Sequence, residues 1–401
     1  MNSEHFWSYH SLAKCLEKQG ELDEAFTYYR KAIEINPNIS VFYHSLGKAL
    51  TEDGLLFQRI ADCQQAIQLN QDVPGIKEKL EEALGKQSQI DEAIHCFRKA
   101  IELDPDFGAN YKYLGDALTN QGQIQEAILS YQNACQKKAI AFQPELANLQ
   151  WNLGKGRNPD FIIIGDVKCG TTSLYEYLVE HPKIMPAATK EICFFDLKFN
   201  NGIDWYKSYF PPEIEGEKYL SGEASPGYLV HYDACQRIFK LCPETKLIVL
   251  MRNPIDQVVS YYNMKVRHGY EKRSLEEAFT KEIETLKTAT ESDLVSGIHW
   301  QAFNYVSVGL YVYKLRKWLE TFPREQLLIL RSEDLFERTE LTVDRVFDFL
   351  ELPAYKLREY PQHNAASYSS IDDSMRQMLT EYFQPHNKKL EAETGIKFDW
   401  E

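Results

Sequence analysis

One spacing, 34 residues, recurs through the first third of the chain. From Leu12 the step reaches Leu46, Leu80 and Leu114. From Gly20 it reaches Gly54, Ser88 and Gly122, and from Ala32 it reaches Ala66, Ala100 and Ala134. Aromatic positions keep the same phase, as Tyr29, Cys63, Phe97 and Tyr131, and as Tyr9, Tyr43, Lys77 and Tyr111. Pro37 and Pro105 close the first and third units. The units fall at 6–39, 40–73, 74–107 and 108–141. A fixed period of this length predicts an array in which each unit buries its apolar face against the next.

The residue types predict two helices per unit. Small residues such as Ala32 let helices approach, and large ones such as Tyr29 and Leu12 fill the gap between them. Gly20 and Gly54 stand where the first helix must turn, because glycine tolerates positive φ. Pro37 stands where the second helix must stop. The pattern resembles the tetratricopeptide repeat. That resemblance implies a superhelical groove for a peptide or protein partner, with self-association or packing on a neighbouring domain as the alternative. The second unit departs most, with Arg59 where the others have Ala25, Ala93 and Ala127. The third has Glu81 where Ala13, Gly47 and Gly115 stand. Leu146, Leu149 and Leu153 carry helical spacing over Phe142 to Leu153, which predicts a capping helix. Gly154 to Pro159 reads as a linker.

Composition narrows the function classes. The 401 residues carry a net charge of -14, and both parts of the chain are acidic. General nucleic-acid binding needs a broad basic footprint and is excluded as an expectation. A small basic pocket for one anionic ligand is not. No stretch approaches the roughly 20 apolar residues that span a bilayer. The start, Met1-Asn2-Ser3-Glu4-His5, has no basic-then-apolar leader pattern. A cytoplasmic protein without a membrane span is expected. The eight cysteines include no CxxC pair, so buried, reduced thiols are expected rather than a zinc or redox site.

A second constellation begins after Pro159. Phe161 to Ile164 is a short apolar, β-branched run, as a buried parallel strand requires. Gly165-Asp166-Val167-Lys168-Cys169-Gly170-Thr171-Thr172-Ser173 follows, and Leu174, Tyr177 and Leu178 then take helical spacing. A strand, a glycine-containing loop and a helix present backbone N–H groups and a helix N-terminus to an anion. Gly165 and Gly170 have the spacing of a nucleotide-triphosphatase loop, but Thr171 stands in the lysine position. The loop's lysine is Lys168, so a triphosphate suits it less well than a 5′-phosphate carrying one further group.

The third constellation is the strand Lys246 to Met251, followed by Arg252-Asn253-Pro254 and, eight residues after Arg252, by Ser260. Arg252 follows the strand's C-terminal end, where open α/β sheets bind ligands. Asn253 suits an N-cap and Pro254 the first helical position. Arginine with a nearby hydroxyl suits a second phosphate, although for a strand-end arginine taken alone a structural ion pair is the favoured reading.

Together these sites resemble the sulfotransferases that use 3′-phosphoadenosine 5′-phosphosulfate (PAPS), over residues 158 to 401. The resemblance implies that Lys168, Cys169, Gly170, Thr171, Thr172 and Ser173 hold the 5′-phosphosulfate, and that Arg252 and Ser260 hold the 3′-phosphate. Lys190-Glu191-Ile192-Cys193-Phe194-Phe195 is similar to the Lys-Glu-x-x-Phe-Phe segment of the heparan-sulfate type, which implies Glu191 as catalytic base. Pairing of Glu191 with a neighbouring lysine is the structural alternative. Lys168 would stabilise the leaving phosphate oxygen. Gly222 to Tyr228, after a short strand expected at Tyr219 to Ser221, has Ala224 where that type often has a second catalytic lysine. Lys190 is the substitute at hand. Val308 to Phe322 is expected to form a helix and Gln326 to Leu330 a strand. The Asn364 to Ser370 loop is expected to close over the cofactor, with Tyr368 as a contact.

The expected fold is an all-α tetratricopeptide-repeat solenoid at 1–157, then a P-loop-like α/β sulfotransferase domain with a central parallel sheet at 158–401. The expected reaction moves the sulfuryl group of PAPS to a hydroxyl or amine, most plausibly of a saccharide, and releases 3′-phosphoadenosine 5′-phosphate (PAP). It needs no metal. Tyrosyl-peptide sulfation and a P-loop kinase are the alternatives.

Overall fold

The computed structural model describes residues 5–51, 87–296, 305–361 and 371–400. The chain divides into two compact units. One comprises residues 1–157 with 201–217, and the other comprises 158–200 with 218–401.

The first unit is helical. Helices α1 (His5–Gln19) and α2 (Leu22–Ile35) pack as a pair, as do α3 (Ser40–Leu50) with α4 (Gln87–Leu103) and α5 (Gly108–Asn120) with α6 (Ile124–Phe142). Gly20 and Gly122 turn the chain between paired helices at φ 83° and 80°. The 34-residue phase appears directly in the packing. A side chain on Gly115 would collide with the ring of Tyr131, sixteen residues on. Gly47 meets the ring of Phe97 in the same way, fifty residues on and thus one whole period further. The first helix of the second unit therefore pairs with the second helix of the third. Gly54, Arg59, Cys63, Ala66, Lys77, Leu80 and Glu81 lie outside the described residues.

Two expectations for this unit need correction. Leu12 is 42% exposed, against 1% for Leu46 and 8% for Leu114, because among the described residues no earlier helix pair covers it. The helix expected from Phe142 to Leu153 does not form. The residue before proline disfavours helical backbone, and Gln143 is extended at φ -135°, ψ 89°. A 3-10 turn over Pro144–Asn148 takes the helix's place.

The exposed end of the last pair is covered by the segment 201–217. Tyr209 stacks on Tyr131 at 4.0 Å between ring centres. The indole N–H of Trp205 donates to Thr119 Oγ1 at 2.9 Å. Trp205, Tyr206 and Tyr209 are all buried. Trp151 bridges antiparallel to Ile214, which fastens the far end of the segment.

The second unit is built on a parallel sheet in the order β2-β1-β3-β4, with β1 Phe161–Ile163, β2 Gly222–Ala224, β3 Lys246–Met251 and β4 Leu327–Arg331. Phe161 is level with both Gly222 and Lys246. The central strands β1 and β3 are apolar from Phe161 to Ile163 and from Leu247 to Met251 and buried there, as a parallel sheet covered on two sides requires. The strand expected at Tyr219 to Ser221 starts three residues later; Leu220 makes only an isolated bridge to Ile184. The expected helix at Val308 to Phe322 splits into a 3-10 turn over Val306–Gly309 and an α-helix over Tyr311–Thr321.

From β1 the chain goes first to β2 on one side and then to β3 on the other. The β1–β3 boundary is therefore the point where the winding reverses, and its C-terminal edge is where such sheets open a crevice. The helices that frame it are α7 (Thr171–Val179), α8 (Pro254–Arg267) and α9 (Tyr311–Thr321). No described helix is long and apolar enough to cross a membrane.

Candidate active site

The loop after β1 leaves the sheet at Asp166, whose N–H donates to Leu250 O at 3.2 Å. The Asp166 carboxylate turns back to accept from the N–H of Val167 at 2.7 Å. Its other oxygen lies 2.5 Å from Lys314 Nζ on α9, and both side chains are within 2% of full burial. Lys168 and Gly170 then take left-handed backbone, at φ 64° and 90°. Gly170 fits this conformation as the residue immediately before α7.

Three consecutive carbonyls of the loop are tied back by side chains. Val167 O accepts from Gln257 Nε2 at 3.0 Å, Lys168 O from Arg252 Nη1 at 3.3 Å, and Cys169 O from Ser332 Oγ at 2.6 Å. Tyr311 braces the arrangement from below. Its hydroxyl lies 2.9 Å from Arg252 O and 2.5 Å from Gln257 Oε1. The N–H groups of Val167 and Cys169 turn inward to Asp166, and those of the first turn of α7 follow at the loop's end. The first N–H groups of a helix have no partner inside it, and this is the layout that receives an anion.

The expected site residues divide as follows. Lys168 and Arg252 are brought together through the Arg252–Lys168 O hydrogen bond. The Lys168 ammonium is held below its ordinary pKa, first by burial and then by the charges of Arg267 and Arg252. Lys168 and Arg252 at the N-terminus of α7 form a donor set that fits an anionic nucleotide. Cys169 is fully buried and its thiol is pushed up to about 12, chiefly by burial, so it shapes the loop and is no nucleophile at neutral pH. Thr171 and Ser173 are buried at the start of α7. Asn253 caps α8, its Oδ1 accepting from the N–H of Ile255 at 3.0 Å, and Pro254 is the first helical residue. Ser260 follows on α8 at 6% exposure. Tyr368 and the Asn364 to Ser370 loop lie outside the described residues.

The candidate base is reached through Lys190. Lys190 Nζ donates to Thr172 Oγ1 at 3.0 Å and lies 3.6 Å from Glu191 Oε2. Glu191 does therefore approach a neighbouring lysine, but that lysine also touches the anion loop. The Glu191 side chain is half exposed and open to an acceptor.

A set of residues that sequence reasoning did not assign holds this segment. Ala224 N donates to Lys190 O at 2.9 Å. The N–H groups of Ile192 to Phe194 go to side chains at and just beyond β2. Ile192 N donates to Glu223 Oε2 at 3.2 Å, Cys193 N to Ser225 Oγ at 3.1 Å, and Phe194 N to Tyr228 Oη at 2.8 Å. Ser225 and Tyr228 in turn donate to the two oxygens of Glu223, at 2.5 Å and 2.9 Å. Glu223 is fully buried. Its sequence signal was a place in the Gly222 to Tyr228 segment, where it was given no role.

The profile of the sulfotransferase domain matches residues 158–401, more than half of the chain. The chain belongs to the sulfotransferase family. Two tetratricopeptide-repeat profiles match ahead of the sulfotransferase domain, at 6–39 and 82–142. Among relatives, the membrane-associated sulfotransferase kil1 of Dictyostelium discoideum is 26% identical over 316 residues, covering 61% of this chain and 66% of that protein. Heparan sulfate glucosamine 3-O-sulfotransferase 3B1 of Homo sapiens is 29% identical over 272 residues, covering 62% and 66%. The sulfotransferase matched here thus spans just under two thirds of the length of these relatives. A crystal structure of a sulfotransferase from Alicyclobacillus acidocaldarius is 27% identical, with a TM-score of 0.49, covering 60% of this chain and 98% of that one.

Proposed function

We propose that the chain transfers a sulfuryl group from PAPS to a hydroxyl or amine of a saccharide and releases PAP. The observation that carries this reading is the line from the anion loop through Thr172 and Lys190 to Glu191. It supports a reading in which Lys168 and Arg252 cradle the donor's phosphates and Glu191 is the nearby base. The heparan sulfate enzymes among the relatives support a saccharide acceptor over a peptide. Thr171 in the lysine position of a triphosphatase loop disfavours the kinase reading.

PAPS supplies an activated sulfuryl group on a phosphate leaving group. The protein's part is to hold and to move a proton. Lys168, the N–H groups from Gly170 to Ser173, and the Thr171, Thr172 and Ser173 hydroxyls would hold the 5′ end. Arg252 and Ser260 would hold the 3′-phosphate, with Tyr368 a further candidate contact. Glu191 would accept the acceptor's proton as its oxygen or nitrogen attacks, which requires hydrogen-bond reach between the two. Lys168 would stabilise the charge that collects on the leaving phosphate. The repeats would recruit a protein partner or a second copy.

The test is calorimetry with PAP, followed by transfer of labelled sulfate to a panel of saccharides, peptides and small alcohols. PAP binding and labelled saccharide are expected. Absence of PAP binding up to millimolar concentration overturns the donor assignment, and labelled peptide without labelled saccharide overturns the acceptor class. Full turnover in Glu191→Gln would remove Glu191 as the base.

A further inference from the structure

Resting on that reading, we propose that Lys190 is a second catalytic cation, which contacts the 5′ end of the donor opposite Lys168. Its backbone is fixed, since Lys190 O accepts from Ala224 N and the N–H groups of Ile192, Cys193 and Phe194 are held by Glu223, Ser225 and Tyr228. Its side chain is 19% exposed and reaches the first turn of α7, where Nζ meets Thr172 Oγ1 at 3.0 Å. The 3.6 Å to Glu191 is an ion-pair distance and too long for a hydrogen bond. An ammonium has three donors. Thr172 engages one, and the hydroxyl holds the ammonium in register beside the loop's N–H groups.

Transfer requires a cation at that place. The acceptor oxygen forms a bond to sulfur while the bond from sulfur to the bridging oxygen breaks. The electron pair of the broken bond stays on the 5′-phosphate of PAP, and the acceptor's proton passes to Glu191. Negative charge therefore grows on the bridging oxygen as a proton arrives on the carboxylate. Lys190 lies between the two. It donates to the leaving oxygen. β2, whose residues are Gly222, Glu223 and Ala224, brings no cation to this side of the crevice.

The experiment compares wild type, Lys190→Ala and Lys190→Arg, using calorimetry with PAP and with adenosine 3′-monophosphate, which lacks the 5′ group. Lys190→Ala is expected to weaken PAP by about ten- to hundredfold, the range for a hydrogen bond between charged groups. Its affinity for adenosine 3′-monophosphate should stay within about twofold. With PAPS and an acceptor its kcat should fall by about a hundredfold or more, as when one charge-stabilising donor is lost. Lys190→Arg should recover part of both. PAP affinity unchanged in Lys190→Ala, or an equal loss for both nucleotides, overturns the proposal. If the wild type binds neither nucleotide, the sulfotransferase reading fails and takes this proposal with it, a result distinct from a failure confined to the variant.

Discussion

The buried Glu223 carboxylate accepts a hydrogen bond from the backbone N–H of Ile192, the residue directly after the candidate base. It accepts from Ser225 and Tyr228 as well, so the position of Glu191 depends on a group that need not touch either substrate. Glu223→Gln keeps the shape but turns an N–H toward a donor. An unsatisfied buried group costs about 1–3 kcal/mol. Urea unfolding should show a loss of about 2 kcal/mol. Steady-state kinetics should show kcat falling while the acceptor's KM changes little. An equal rise in KM would mean that Glu223 serves acceptor binding directly.

The Asp166–Lys314 pair predicts a strong coupling. Lys314→Met leaves a buried carboxylate without its cation and should cost about 3–5 kcal/mol. The double variant Asp166→Asn with Lys314→Met should recover most of that loss, because the amide oxygen still serves the N–H of Val167. Chemical denaturation of the two singles and the double forms the cycle, and additive losses would show that the pair is not coupled.

Gly170→Ala tests the shape of the anion loop. The residue sits at φ 90°, and the added methyl would lie 3.0 Å from the ring of Phe336. Left-handed backbone costs an L-residue about 1–2 kcal/mol. A drop in PAP affinity of about tenfold, measured by calorimetry, is the expected result if the loop relaxes out of that conformation.

Lys168 gives PAP binding a pH signature. Burial and the neighbouring arginines hold its ammonium below the usual 10.5. A bound 5′-phosphate favours the charged form and moves the value back up. Binding should therefore take up a proton in the alkaline window between the two values, and affinity should fall as the pH rises through the lower one. Titrations in two buffers of different ionisation heat read the proton directly. Lys168→Met should abolish the uptake.

Much of the fold was legible wherever its cause was local. Lys246 to Met251 is a strand over those same residues because an apolar run from Leu247 to Met251 suits a strand covered on both faces, and Asn253-Pro254 starts a helix because a cap and a fixed φ are written in two adjacent residues. Gly20 and Pro37 punctuated the first repeat for the same reason. What escaped depends on partners far apart in sequence. Asp166 finds Lys314 across 148 positions, and Gly47 finds Phe97 one period later than its own unit suggests. The helix expected after Phe142 carried the right leucine spacing, but a single proline at 144 outweighed it. At the site, the loop, Arg252 and Glu191 could be named from residue types. The scaffold of Glu223, Ser225 and Tyr228 could not, since a buried carboxylate is spelled like any other.

The return of residues 201–217 to the helical unit has a consequence for how such a chain can be cut and recombined. A break at residue 157 parts the sequence into two halves but not the structure, because the cap over Tyr131 is encoded after the anion loop and after Glu191. A fragment ending at 157 would lack that cap, and one beginning at 158 would carry Trp205, Tyr206 and Tyr209 without the helices that bury them. Gain or loss of the repeats through a single junction would strand one piece or the other. The two units alternate along the chain, so no single cut releases either of them whole.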